Sequence, residues 1–184
     1  LTVSQRFHSA ALRWGGASDL IIEPRSAVGA PEWIDPAGLA AYGDAFEYAF
    51  QFLREKALYM PSLEQMHYFT MIGADIEEFN RYNPLTLSEG SYQEWDGFNI
   101  IVGRAYANEY GFKVGDVVKL ELNNAKYDFN IVGISEPKGL FLRELADGGY
   151  ILAPKETLSE IFGGNSNLVF LKLKDFSQRE SMYE

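Results

Sequence analysis

The chain has 184 residues, 47% of them hydrophobic, which is enough to bury the core of one domain or of two small ones. Its 13 Phe and 11 Tyr argue against a disordered chain, because disorder requires low hydrophobicity. The formal net charge of −10 repels phosphate backbones and anionic headgroups, so we expect no nucleic-acid partner. The absence of cysteine excludes disulfides, thiol catalysis and cysteine-ligated metal clusters.

No stretch of the sequence reaches the roughly 18 apolar residues of a membrane-spanning helix, and no signal peptide is visible. The chain begins at Leu1 without a methionine, and we expect it to be a piece of a longer protein. Membrane segments would then lie beyond both of its ends.

The first segment has apolar residues at helical spacing between Leu1 and Trp14 and stops at Gly15. We therefore predict a short entry helix, assigned to residues 1–16. An apolar run at residues 19–24 that ends in proline predicts a buried strand, and a loop follows at residues 26–32.

Asp35 and Pro36 form a typical helix start, with an N-cap carboxylate before a proline. Apolar residues then recur every three or four positions, at Leu39, Tyr42, Phe46, Ala49, Phe50, Leu53 and Ala57. This pattern predicts an amphipathic helix that ends at Pro61. With a predicted strand at residues 65–72, it gives a strand–helix–strand unit with parallel strands and a right-handed crossover.

The middle of the sequence has the texture of a mostly β region. It contains a short strand at residues 99–102, a helix at 104–110, and alternating segments at 114–122 and 127–131. Asn123 and Asn124 lie between the alternating segments and predict a β-hairpin.

The last part returns to the first pattern. A strand is predicted at residues 149–153, a helix from Pro154 to Ile161 that Gly163 ends, and a strand at 167–174. The predicted fold class is therefore α+β, with two βαβ units around an inserted β-rich subdomain. The predicted boundaries are 17–75 with 148–184 for the discontinuous subdomain and 76–147 for the insert.

Groups capable of catalysis are sparse. His8 lies in the predicted entry helix and His67 in an aromatic strand, and no Gly-x-Ser-x-Gly nucleophile motif accompanies them. Two acidic groups could be solvent-exposed faces, calcium ligands or a glycosidase pair; they are Asp75, Glu77 and Glu78, and Glu89, Glu94 and Asp96. Neither group matches a calcium-loop pattern, so we predict no catalytic residue, metal or cofactor.

One apolar segment lies between predicted strands, where loops are usually polar. Leu140, Phe141 and Leu142 could fold back over the hairpin, or they could form an exposed partner-binding patch. Both interpretations remain open at this stage.

A set of glycine-centred motifs follows in order along the second half of the chain. An apolar strand reaches Gly103, a small helix ends at Gly111, a turn contains Gly115 and Asp116, and a Val-Gly-Ile strand contains Gly133. This order resembles the MacB-type periplasmic core domain of FtsX-like ABC transporter permeases. Further segments that resemble the family lie at residues 19–22, 72–75, 87–90 and 150–154, whereas residues 26–65 match it poorly.

The resemblance implies a porter-like subdomain of two βαβ units with the β-rich subdomain inserted. It implies an extracytoplasmic location between the first two of four membrane helices, with residues 1–16 as a stalk. It implies pairing with a second permease copy and an ABC ATPase subunit or domain on the cytoplasmic side. The domain itself would be non-catalytic and would couple helix motion to the export of a peptide, a lipoprotein or another amphiphile.

Two other functions remain as alternatives. The first is an extracellular binding or signalling module that recruits a partner, such as a cell-wall hydrolase, without transport. The patch at Leu140, Phe141 and Leu142 motivates it. The second is a hydrolase that uses the group around Glu89, which only carboxylate density motivates.

Overall fold

The computed structural model describes residues 19–24, 33–34, 36–40, 43–82, 84–138 and 150–175. Within them the fold is α+β, rich in sheet. The chain divides into two units: residues 1–52 with 165–184 form the first, and residues 53–164 form the second. The predicted entry helix, the loop at residues 26–32 and the N-cap at Asp35 lie outside the described residues.

The first unit contains a three-stranded antiparallel sheet. Its strands are β1 (Leu20–Ile22), β9 (Leu168–Leu173) and the first part of β2 (Phe46–Ser62), with β9 in the centre. The helix α1 (Pro36–Ala40) and a 3-10 turn (Gly43–Ala45) precede β2. One apolar cluster forms its core: Leu20, Ile22, Ile34, Leu39, Val169, Leu171 and Leu173.

The second unit is built on a ring of paired strands. Its strands are the rest of β2, β3 (Gln65–Ala74), β4 (Leu87–Gly90), β5 (Asn99–Gly103), β6 (Val117–Leu122), β7 (Ala125–Ser135) and β8 (Tyr150–Pro154). The pairings run β2–β3–β8–β5–β7–β6 and return to β2. The β3–β8 and β5–β7 pairs are parallel, the other pairs of the ring are antiparallel, and β4 adds to β7.

Three helices accompany this ring: α2 (Ile76–Tyr82), α3 (Arg104–Tyr110) and α4 (Lys155–Phe162). The helices α3 and α4 end at Gly111 and Gly163, both left-handed, as their sequences predict. The core consists of wholly buried side chains such as Phe69, Phe79, Ile101 and Leu120. Among the described residues, no helix has the length and apolar character that crossing a membrane requires.

The helix predicted between Pro36 and Pro61 is wrong beyond its first turn. The helix α1 covers only Pro36–Ala40, and the chain from Phe46 to Ser62 is one long strand. The buried face of this strand changes between Phe52 and Leu53: before that point Phe50 and Phe52 are buried, and after it Leu53 and Ala57 are buried. The change of face interrupts the period of two, and the remaining pattern resembles a helical spacing. Strand pairing therefore overrides local helix propensity here.

The first predicted βαβ unit is consequently wrong as well. The strands β2 and β3 are consecutive and antiparallel, with Leu53 opposite Gly73. The strand–helix–strand order near the end of the chain is confirmed, but β8 pairs with β3 and β5, whereas β9 pairs with β1 and β2.

The two units also divide the chain differently from the predicted subdomains. Among the described residues, 19–52 and 165–175 fall in the first unit. Residues 53–75 and 150–164, which the prediction placed with them, fall in the second unit. The reason is strand pairing, because β3 and β8 are members of the ring that also contains β5, β6 and β7.

Candidate functional site

The β2–β3 hairpin extends beyond the strands that flank it. On one side, β6 pairs with β2 only at Leu58 and Tyr59. On the other, the pairing of β8 with β3 starts at Thr70. We call residues 57–69 the projecting hairpin, because no other described strand pairs with its turn.

The two faces of the projecting hairpin follow from strand alternation. The register places Leu58 opposite Tyr68 and Tyr59 opposite His67, so these two pairs lie on opposite faces. The inner face carries Ala57, Tyr59, His67 and Phe69. The outer face carries Leu58, Met60, Met66 and Tyr68, and Leu63 lies in the turn between the strands.

The inner face packs on α3 and the residue after its cap. The ring of Phe69, which is 1% exposed, lies 4.7 Å from the ring of Tyr106 and 5.0 Å from that of Tyr110. The ring of Tyr59 lies 5.4 Å from that of Phe112. These rings and that of His67 form one aromatic cluster, in which edge-to-face contacts predominate.

Burial gives Tyr106 an unusual titration. The Tyr106 side chain is 4% exposed, and loss of solvent raises the pKa of its hydroxyl to about 12. A hydrogen bond with the backbone of Thr70 opposes this shift, because it favours the ionised form. Tyr106 is therefore neutral at physiological pH, as a core residue at the base of the projecting hairpin should be.

His67 lies on the inner face of the projecting hairpin, among aromatic side chains. Its Nδ1 lies 3.3 Å from the hydroxyl of Tyr110, and the two rings are 4.9 Å apart. A triad would need a nucleophile and an orienting acid beside the imidazole. The ring of His67 lies beside those of Tyr59 and Tyr110, so it belongs to the aromatic cluster.

The outer face presents large apolar side chains to solvent. Leu63 is 102% exposed, Tyr68 63%, Met66 56% and Met60 36%. Single exposed apolar residues are common on protein surfaces, whereas several on one short element are characteristic of interaction sites. The outer face is therefore the candidate functional surface.

Charge is scarce on the projecting hairpin and abundant elsewhere on its unit. Between residues 57 and 69, Glu64 is the only Asp, Glu, Lys or Arg. Residues 53–164 as a whole contain 10 Lys and Arg against 17 Asp and Glu, a net charge of −7. The apolar outer face thus lies on an acidic unit.

The glycines of the sequence motifs lie at helix ends, at a turn and at a close contact within the sheet. Gly103 ends β5 and precedes α3, Gly111 is the left-handed cap of α3, and Gly115 has a φ of +92° at the turn into β6. Asp116 closes that turn, because its carboxylate accepts a hydrogen bond from the Lys113 amide at 2.8 Å. At Gly133, a side chain would crowd Leu87 and Ile101 across the sheet.

Gly90, in another segment of the resemblance, has the strictest requirement. Its φ is +82°, and an added Cβ would collide with the backbone of Val132. The pairing of β4 with β7 therefore requires glycine at this position.

The predicted patch at Leu140, Phe141 and Leu142 lies outside the described residues, as does His8. It stays a prediction. Among the described residues, four of the eight exposed large apolar side chains are on the projecting hairpin.

The two acidic groups have separate local roles. The Asp75 carboxylate accepts the amide of Glu78 at 2.8 Å, as an N-cap of α2 does. Burial raises the pKa of Glu78, and Lys155 opposes that shift. In the other group, Glu89 pairs with Arg104 at 3.1 Å, and Asp96 accepts a long hydrogen bond from Asn99.

Within the part of the chain that the structure describes, no three His, Asp or Glu side chains are arranged as metal ligands. Neither acidic group therefore belongs to a metal-ligand cluster among the described residues.

Sequence reasoning missed the projecting hairpin because it assigned β2 to a helix. A signal was available in the run from Pro61 to Gln65, where proline, serine and two polar residues surround Leu63. Proline and serine favour turns, and aromatic residues on both sides favour strands. Together these features are typical of a hairpin whose turn is unusually apolar.

No protein-family model matches the chain, and no curated protein matches it by sequence. Solved structures do match. The extracellular domain of the noncanonic ABC-type transporter YknZ from Gram-positive bacteria is 13% identical, with a TM-score of 0.57 over 88% of this chain and 86% of that one. The periplasmic region of MacB from Actinobacillus actinomycetemcomitans is 11% identical, with a TM-score of 0.52 over 89% and 78%.

These matches define the fold of the molecule. The chain has the fold of the extracytoplasmic domains of ABC transporter permeases. In particular, it shares the architecture of the YknZ extracellular domain over nearly the whole length of both chains. At 13% and 11% identity the likeness concerns the fold, and function requires a separate argument.

Proposed function

We propose that this chain is the extracytoplasmic domain of an ABC transporter permease and that it performs no chemistry itself. The observation that carries the proposal is the fold it shares with the YknZ domain across 88% of its length. The ordered glycine motifs from Gly103 to Gly133 support it as well, because their order along the sequence resembles that of the MacB-type domain.

The domain would act mechanically. A cytoplasmic ATPase would supply the energy, a second permease copy would complete the transporter, and the domain would follow the motion of the membrane helices. Its substrate class would be peptides, lipoproteins or other amphiphiles.

Location can be tested with a single introduced cysteine. The chain has none of its own, and Lys126 is exposed beside the turn of the β6–β7 hairpin. In the full-length protein in intact cells, a membrane-impermeant maleimide should label Lys126→Cys before permeabilisation. Labelling that requires cell lysis would contradict the proposed location.

Coupling can be tested with the same variant. Spin labels at Lys126→Cys in two copies of the purified, reconstituted transporter should give a distance distribution that changes between the nucleotide-free and ATP-bound states. A distribution that is identical in both states would contradict mechanical coupling. A signal without any intermolecular distance would contradict pairing of two copies.

A second candidate function is recruitment of an extracellular partner without transport. The exposed outer face of the projecting hairpin favours it. The two functions are distinguished by nucleotide dependence, because a pure recruitment module should bind its partner equally in all nucleotide states.

A further inference from the structure

We propose that two copies of this chain meet face to face across a two-fold axis, through the outer face of the projecting hairpin and its continuation onto β6 and β7. We call this surface the extended outer face; it consists of Leu58, Met60, Met66, Tyr68, Lys119, Glu121, Lys126 and Asp128. The inference deepens the proposed function, because it gives the surface at which the two copies meet, and it rests on that function for the presence of a second copy.

Strand pairing arranges these residues in two rows. Residues opposite each other in antiparallel strands point to the same side of a sheet. Leu58 is opposite Tyr68 on one side and Glu121 on the other. Glu121 is in turn opposite Lys126, so the first row runs across β3, β2, β6 and β7. Two positions nearer the β2–β3 turn, the second row crosses the same strands with Met66, Met60, Lys119 and Asp128.

The charges of the two rows alternate in sign. Glu121 lies beside Lys126 in the first row, and Lys119 lies beside Asp128 in the second, where the two charged groups are 3.5 Å apart. The side chains of Lys119 and Asp128 are 64% and 60% exposed, so a partner can reach both. Such an alternating pattern is complementary to a second copy of itself.

One symmetry operation uses this complementarity. A two-fold axis in the plane of the face, parallel to the rows and midway between them, places the first row of each copy on the second row of the other. Lys126 then faces the partner's Asp128, and Glu121 faces the partner's Lys119. Every charge of the two rows thus meets its opposite, and the symmetry repeats each contact on the other side of the axis.

The apolar half of the face follows the same rotation. Tyr68, which is 63% exposed, faces the partner's Met66, which is 56% exposed, and both leave water together. A different axis, parallel to the strands and midway between β6 and β7, would also pair opposite charges. It would place β2 and β3 beyond the partner's β7, however, and leave these side chains without an apolar counterpart. Burial of apolar surface therefore selects the first axis.

Neutrality of the face favours a second copy as its occupant. Residues 53–164 have a net charge of −7, so two copies repel each other through the unit as a whole. The two rows carry equal numbers of basic and acidic side chains, and Lys56 at the base of the face and Glu64 in the turn add one charge of each sign. Two acidic copies can therefore approach through this face without the repulsion that the net charge implies.

The projecting hairpin is supported from behind, so its part of the face is presented in a fixed position. The ring of Phe69 lies 4.7 Å from that of Tyr106 and 5.3 Å from that of Tyr59. At the base of the hairpin, Lys56 donates a hydrogen bond to Thr70 across the strands at 2.7 Å. A preorganised surface loses little conformational freedom when a partner binds.

Self-association is measured by sedimentation equilibrium of the 184-residue chain at concentrations up to about 1 mM, the local concentration that linkage within one transporter would give. The charge test uses two single variants, Lys119→Glu and Glu121→Lys. Each variant places like charges opposite each other across the axis. We expect each to associate at least about fivefold more weakly than the wild type.

An equimolar mixture of these two variants should associate again, to within about twofold of the wild type. In the mixed dimer the introduced glutamate faces the introduced lysine, and the remaining Glu121 faces the remaining Lys119. Mixing changes the fold of neither variant, so restored association reports a contact between copies.

The apolar test uses Met66→Ser with Tyr68→Ser, which should weaken association at least about tenfold. Its control is Tyr92→Ser, which alters a 38% exposed residue after β4. The charge control is Lys138→Glu, which makes the same charge change as Lys119→Glu at an exposed position beyond the end of β7. Both controls should associate within about twofold of the wild type, and an unchanged temperature of thermal unfolding shows that each variant is folded.

Several outcomes would overturn the proposal. A wild-type chain that stays monomeric up to about 1 mM would show that the face does not bind a second copy. Association of Lys119→Glu equal to that of the wild type, or a mixture that associates no better than the single variants, would refute the pairing of the rows. A loss in Tyr92→Ser as large as that in the Met66→Ser/Tyr68→Ser variant would assign the contact to another surface.

The tests of the proposed function are independent of these measurements. Because Lys126 ends its row, it lies at the rim of the contact, where a maleimide reaches it. Association that follows the expected pattern, together with a spin-label distance that does not respond to ATP, would refute only the mechanical coupling. A distance that responds to ATP, without restored association in the mixture, would refute only this contact.

Discussion

The turns of the β6–β7 and β2–β3 hairpins differ in polarity and exposure. The β6–β7 turn is polar, with Asn123 and Asn124 both at positive φ, and the Asn123 side chain donates to the Ile161 carbonyl at the end of α4 at 2.8 Å. The β2–β3 turn places Leu63 fully in water and Met66 half in water. The β6–β7 turn is hydrogen-bonded to its own unit, whereas the apolar side chains of the β2–β3 turn are exposed to solvent.

The two hairpins differ in how much of their apolar surface folding explains. In the β6–β7 hairpin, Leu120, Leu122 and Phe129 are buried and the turn is polar, so folding alone accounts for the pattern. In the projecting hairpin, Phe69 and Tyr68 are adjacent aromatic residues, yet one is 1% and the other 63% exposed. Folding accounts for the inner face only, and the outer face requires another explanation.

The largest expected effect separates these two adjacent residues. Phe69→Ala should destabilise the protein by about 3–5 kcal/mol, because it opens a cavity in the aromatic cluster. Tyr68→Ala should change the free energy of unfolding by less than about 1 kcal/mol, because its side chain is already in water. Urea unfolding of both variants measures the difference. Equal losses would mean that the outer face is also part of the core.

The next effect concerns the inner face at alkaline pH. The pKa of Tyr106 is raised from 10.0 to about 12 in the folded protein, so the unfolded chain loses this proton first. Stability should therefore be unaffected by this group below pH 10 and should fall as the pH rises to 12, by about 2–3 kcal/mol.

In Tyr106→Phe this fall should be smaller by that amount, which unfolding curves at pH 9 and pH 12 would measure. Identical pH profiles of the two proteins would refute burial of this hydroxyl. Tyr68→Phe is the control, since Tyr68 lies on the exposed outer face.

The two turns themselves should respond differently to alanine. Asn123→Ala should cost about 1–2 kcal/mol, since it removes the hydrogen bond to Ile161 and leaves a side chain poorly suited to a φ of 49°. Leu63→Ala should leave the free energy of unfolding within about 0.5 kcal/mol. A loss at Leu63 as large as that at Asn123 would show that its side chain packs on the protein.

The smallest effect tests the contact between His67 and Tyr110. At 3.3 Å between the Tyr110 hydroxyl and Nδ1, the hydrogen bond is long, so a double-mutant cycle with His67→Ala and Tyr110→Phe should give a coupling energy below about 1 kcal/mol. A coupling of several kcal/mol would contradict a weak hydrogen bond between these two side chains.

The sequence predicted much of the second unit. The glycine caps, the Asn123–Asn124 turn and the alternation in β6 and β7 are local features, and the residues of each are enough to predict its backbone conformation. It failed at β2, because the buried face changes between Phe52 and Leu53, which interrupts the period of two, and the phenylalanines also fit a helical spacing. The ring of strand pairings depends on contacts distant in the chain, such as β2 with β6, which no local pattern encodes.

The candidate site was not predictable for a related reason. The exposure of Met60, Met66 and Tyr68 depends on where β6 and β8 stop pairing with the hairpin. Their sequence is as apolar as that of a core strand.

The most direct test of this account asks whether the outer face is free of internal packing. A variant with Met60→Thr, Leu63→Ser, Met66→Thr and Tyr68→Thr keeps the strand propensity of β2 and β3 while removing the apolar surface. Its free energy of unfolding in urea should lie within about 1 kcal/mol of the wild-type value. A loss of more than about 3 kcal/mol would show that these side chains are buried in the folded protein and would contradict a docking role.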